Sequence, residues 1–87
     1  MTIYKYALSI YDVQSVFMPK GAEILSVANQ NGALCLWAIV RPNEPMEERD
    51  IELFGTGQEM PVGISVERKF IGTVAIDPFV WHVFERW

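Results

Sequence analysis

Eighty-seven residues leave room for one small core, and seven basic against eleven acidic side chains give a net charge of −4. That balance argues against a general binder of double-stranded DNA or RNA, which must neutralise phosphates with Lys and Arg. Apolar residues make up 51% of the chain and charged ones 21%, so some apolar surface is expected to meet a second copy or a partner.

From Ile3 to Ile10 the chain alternates, with Tyr4, Tyr6, Leu8 and Ile10 on one face and Lys5, Ala7 and Ser9 on the other. A period of two predicts a half-buried strand. No apolar stretch follows a basic start, so no secretory signal is expected. Tyr11-Asp12 opens a turn, and Val13 to Met18 alternates again until Pro19-Lys20-Gly21 stops it. Ala22–Asn29 and Ala33–Val40 flank Gln30-Asn31-Gly32. Asn-Gly between two β-rich runs is a strong hairpin signal, because both turn residues must accept positive φ. The second arm is apolar on both faces, which predicts a central strand. It is also the longest apolar run, and it is too short to span a bilayer, so no membrane association is expected.

Arg41 to Asp50 carries two prolines and four carboxylates and reads as a polar loop, at most a helical turn near Pro45. A short strand is predicted at Ile51–Phe54, ending in Gly55-Thr56-Gly57, with an irregular stretch from Gln58 to Gly63. Lys69 to Asp77 resumes strand character, with Phe70, Val74 and Ile76 assigned to one face. Asp77-Pro78 suggests a type I turn with Pro at its second position. Val80 to Glu85 closes the chain, setting Trp81 and Val83 against His82 and Phe84. The sum is a single all-β domain over residues 1–87, an antiparallel sandwich or barrel of six or seven short strands built from hairpins.

Candidate chemistry is sparse. Cys35 is the one cysteine, which excludes an internal disulfide and fits a reducing compartment. Inside a doubly apolar run it reads as an inert thiol. His82 is the one histidine, too few ligands for a metal site. No metal, cofactor or catalytic set is expected, and the protein reads as a non-enzyme. The suggestive stretch is Phe54 to Pro61, in which the glycines of Gly55-Thr56-Gly57 can turn successive N–H groups inward to form an anion-binding nest, although two glycines also suit a bulged strand end. The basic pair Arg68-Lys69 and the aromatic neighbours Trp81 and His82 complete a candidate site for a small anionic or nucleotide-type ligand.

The opening MTIYKYAL, the central MPKGAEILSVANQNGALCLWAIV, and FGTGQEMP followed by FIGTV and WHVFE together resemble a family of small tailed-phage and prophage proteins, a domain of unknown function. The similarity runs from Thr2 to Glu85 and brings no assigned functional residues. It implies a small phage accessory protein in the host bacterial cytoplasm. In that setting the expected role is a non-enzymatic, homo-oligomeric binding module that counters host defence, by sequestering a nucleotide-type signal or blocking a host protein. The alternative is a virion structural or assembly protein that works through protein contacts alone.

Overall fold

The computed structural model describes residues 1–61 and 66–87. It contains seven strands: β1 (Thr2–Ala7), β2 (Val13–Pro19), β3 (Glu23–Gln30), β4 (Ala33–Val40), β5 (Met46–Gly55), β6 (Arg68–Ile76) and β7 (Phe79–Arg86). They form two antiparallel sheets, a three-stranded sheet in the order β1-β4-β3 and a four-stranded sheet in the order β2-β5-β7-β6. The expected all-β fold is observed, and of the two architectures left open, sandwich or barrel, the two sheets fit the sandwich. Among the described residues, no helix is long and apolar enough to cross a membrane.

Strand alternation builds the core. Leu34, Leu36, Ala38 and Val40 of β4 face Met18 of β2, Ile51 and Leu53 of β5, Val74 of β6 and Val83 of β7. The β3–β4 hairpin turns as its sequence predicts, with φ of 54° at Asn31 and 86° at Gly32, and the Asn29 side-chain oxygen accepts from Gly32 N–H at 2.7 Å. Cys35 is 3% exposed on the outer face of β4, paired with Ala7 and Ala28.

Three expectations are corrected. The Arg41–Asp50 segment is a loop only as far as Pro45, because β5 begins at Met46. Its charges are compatible with a strand because cross-strand partners receive them. Ser15 Oγ donates to Glu48 at 2.6 Å and to Asp50 at 3.2 Å. Arg49 forms a bidentate pair with Glu85 and donates to Ala22 O at 2.9 Å, tying β5 to the start of β3. Phe70 does not share a face with Val74 and Ile76, because the register of β6 shifts between Phe70 and Gly72. The extra residue of a bulge moves side chains to the opposite face. The Asp77-Pro78 bond is cis and Ile76 pairs with Phe79, so Pro78 takes the third turn position and the turn is not type I.

The sheets also meet along their edges. A Cβ placed on Gly72 of β6 would sit 3.0 Å from Val27 Cγ2 of β3, and Asn29 Nδ2 donates to Ala75 O at 3.1 Å. β6 runs parallel to β5 with β7 between them.

Candidate functional site

Alternation along β5, β7 and β6 sends a second set of side chains away from the core. Glu52 pairs with Phe84, Phe54 with His82, Phe70 with Phe84, and Thr73 with His82. These pairs share the outer face of the four-stranded sheet, and register alone gathers three phenylalanines there. Phe84 stands edge-on to both Phe54, at 5.8 Å between centroids, and Phe70, at 5.3 Å. Such T-shaped contacts set the positive ring edge against the negative face.

Beside the rings lies a buried carboxylate. Glu52 is only 4% exposed. Arg68 Nε donates to its Oε1 at 2.5 Å and Arg68 Nη2 to its Oε2 at 3.4 Å, while Arg86 Nη1 reaches Oε2 at 3.3 Å. The hydrogen bond to Glu52, followed by the charge attraction between them, holds the Arg68 guanidinium above its ordinary pKa against an opposing desolvation effect. Arg68 also lies over the Phe54 ring, 5.5 Å from its centroid, a cation–π contact. A buried acid between two arginines is the arrangement under which burial of charge is tolerated.

At the other end of the face, His82 bridges two hydroxyls. Its Nε2 is 2.7 Å from Thr56 Oγ1 and its Nδ1 is 3.0 Å from Thr73 Oγ1. In the neutral ring one nitrogen accepts and the other donates, so both partners are satisfied. The turn after β5 is closed by Gln58 N–H donating to Gly55 O at 3.0 Å, with φ of 90° at Gly57. A shallow pocket of about 330 Å³ opens here, lined by Phe54, the Gly55-Thr56-Gly57 turn, Met60, Phe70, His82 and Phe84.

Four of the residues singled out from the sequence, Gly55, Thr56, Gly57 and His82, therefore meet in one place. The others do not join them. Arg68 is on the same face, but its guanidinium is committed to Glu52. Lys69 pairs with Glu85 on the opposite face of β6 and lines a separate cleft with Arg49 between β3 and β6. Trp81 points to the inner side, where its ring lies 3.5 Å from the Cβ position of Gly55. The anion nest is largely spent as well. Gly55 N–H donates to Gln58 Oε1 at 3.0 Å, Thr56 N–H to Val80 O at 3.1 Å, and Gln58 N–H closes the turn. Of the N–H groups at Gly55, Thr56, Gly57 and Gln58, the one at Gly57 has no partner among the described residues. Phe54 and Met60 lay in the suggestive stretch without a role of their own, and Phe70, Phe84 and Glu52 were missed. The signal for those three was cross-strand register, which no local pattern carries.

These features define an all-β, two-sheet protein with an aromatic, internally charge-neutralised patch on one outer face. The chain belongs to the family described as Domain of unknown function (DUF7352), whose family model matches residues 1–87. No curated protein and no solved structure matches the chain.

Proposed function

We propose that the protein is a non-catalytic binding module that docks on another protein through the outer face of its four-stranded sheet. The setting follows the sequence resemblance: a small phage accessory protein that blocks a host defence component in the bacterial cytoplasm. One observation carries the reading. The charge of Glu52 is satisfied within the chain by Arg68 and Arg86, while Phe70, 54% exposed, lines the same pocket as Met60. Interface centres are depleted of free charge and enriched in aromatic residues and Met. A nucleotide-type ligand is supported less well, because it needs cations and N–H donors that here are already engaged or point elsewhere.

The test is quantitative capture from a bacterial lysate, comparing the wild-type protein with Phe70→Asp and Met60→Asp, each first shown folded by circular dichroism. Wild type is expected to retain one host protein in near-stoichiometric amount, and both variants are expected to lose it. Identical retention by all three sinks the reading. A metabolite co-purifying with the wild type in native mass spectrometry would favour the nucleotide reading instead.

A further inference from the structure

A sandwich with two open sheets has four edge strands, here β1, β3, β2 and β6. Exposed edges invite pairing with other chains, and proteins blunt them with bulges, charges, proline or cover. β3 and β6 each carry a register shift, between Ile24 and Ser26 and between Phe70 and Gly72, and lie against one another. On β1, Leu8 N–H donates to Leu34 O at 2.8 Å. By alternation Tyr6 and Tyr4 also address β4, so Ile3, Lys5 and Ala7 address the outside, with a lysine at the centre.

β2 differs. Leu53 N–H donates to Asp12 O at 2.9 Å, and Lys20 N–H donates to Pro45 O at 2.8 Å. These two bonds bracket the strand and set its parity. Gln14, Val16 and Met18 address β5, and the N–H and C=O groups of Val13, Ser15 and Phe17 point outward. Among the described residues nothing hydrogen-bonds them. The strand reads VQSVFMP, with no charged residue and proline only at its end. Val13 and Phe17 are exposed large apolar residues, and Ser15 lies between them on the same face.

Behind this edge lie two carboxylates that form no ion pair among the described residues, although Arg86 stands opposite Asp50 on β7. Ser15 pairs with Asp50 and Phe17 with Glu48, and the Ser15 hydroxyl bridges the two carboxylates. Glu52, the next acid on that face, is neutralised by Arg68 and Arg86. A second copy paired antiparallel across Ser15 would set Ser15 against Ser15 and bring no counter-charge to either Glu48–Asp50 pair, the two pairs lying three strand spacings, roughly 14 Å, apart. A basic side chain at the same place is attracted to both acids.

We propose that the free edge of β2 receives an extended segment of a partner protein as a fifth strand, with Lys or Arg opposite Ser15 and apolar side chains opposite Val13 and Phe17. Main-chain hydrogen bonds supply affinity and the alternating side chains supply selectivity, as in other strand additions. The proposal rests on the reading of the chain as a protein-binding module, but at a surface separate from Phe70.

The probe is a blocked peptide with valine, lysine and valine at alternate positions and threonine between them (Val-Thr-Lys-Thr-Val), titrated into the ¹⁵N-labelled full chain, with its glutamate-for-lysine counterpart as control. Shifts and slowed amide exchange are expected at Val13, Ser15 and Phe17, and the glutamate peptide is expected to bind about tenfold more weakly. Ser15→Pro removes one outward N–H without costing an internal ladder bond and should abolish binding; it also loses the hydroxyl bonds to Glu48 and Asp50, so it is first shown folded by circular dichroism, with a thermal midpoint at most a few degrees lower. The double variant Glu48→Gln, Asp50→Asn should bring the two peptides to equal affinity and remove the salt dependence. Phe70→Asp should bind the peptide as wild type does, which separates failure here from failure at the aromatic patch. No saturable binding of the lysine peptide, shifts at another edge, or equal affinity of the two peptides for wild type overturns the proposal.

Discussion

Tyr6 ends in a buried phenol oxygen with no hydrogen-bond partner among the described residues. Burial, and secondly the neighbouring Tyr4, raise its pKa above the ordinary 10.0. A buried hydroxyl without a partner has lost its water and gained nothing. Tyr6→Phe is therefore expected to stabilise the fold by about 1 kcal/mol, read as a higher urea midpoint. The pH dependence has a definite sign. The phenol ionises first in the unfolded chain, so the folded state holds more protons and stability falls as pH rises through 10.0 and above. Wild type should lose stability over that range more steeply than Tyr6→Phe, and identical alkaline profiles would refute the assignment. Glu52 is the opposite case, a buried polar group fully engaged. Its truncation to Ala orphans two arginine contacts and should cost about 3 kcal/mol in chemical denaturation. A loss of under about 1 kcal/mol would show that the cluster behaves as an exposed surface network.

Among the elements, the β3–β4 hairpin was the most legible, because Asn31-Gly32 states its backbone requirement locally. The start of β5 was hidden for the reverse reason. Glu48, Arg49 and Asp50 look like loop residues until Ser15 and Glu85, distant in sequence, supply their partners. The bulge in β6 was equally silent, and it moved Phe70 from the expected inner face to the site. Half of the candidate site was readable, since Gly55, Thr56, Gly57 and His82 carry distinctive chemistry. Phe54 and Phe84 look like any core aromatic until the register of three strands is known. Where β6 meets β3 the fit is tight enough to test. Gly72→Ala places a methyl 3.0 Å from Val27 Cγ2 and should cost about 1 kcal/mol by overpacking. Adding Val27→Ala should recover part of that cost, so that the double variant is less destabilised than the sum of the singles. Strict additivity would mean that the two strands part freely at this point.

At the scale of the molecule, the two free edges are poor routes to self-association. Antiparallel pairing of β2 with its copy brings no counter-charge to Glu48 and Asp50, and pairing of β1 with its copy about its centre sets Lys5 against Lys5. A better route is the outer face of the three-stranded sheet. Register places Ile3, Ile39 and Glu23 in one row there and Lys5, Trp37 and Ser26 in the next. Lys5 and Glu23 lie on opposite edge strands of this face, so a two-fold axis can bring each against its opposite in the other copy. Three strands of about six residues offer roughly 300 Å² of flat sheet. That is well below the roughly 800 Å² per partner of a stable complex, so the dimer should be weak and concentration-dependent. Sedimentation equilibrium should show the 10.0 kDa chain giving way to twice that mass as concentration rises. Ile3→Lys, at a side chain 57% exposed, should hold it monomeric without loss of fold. A monomer mass at every concentration would end the expectation of a homo-oligomer and leave the apolar surface to partners of other sequence.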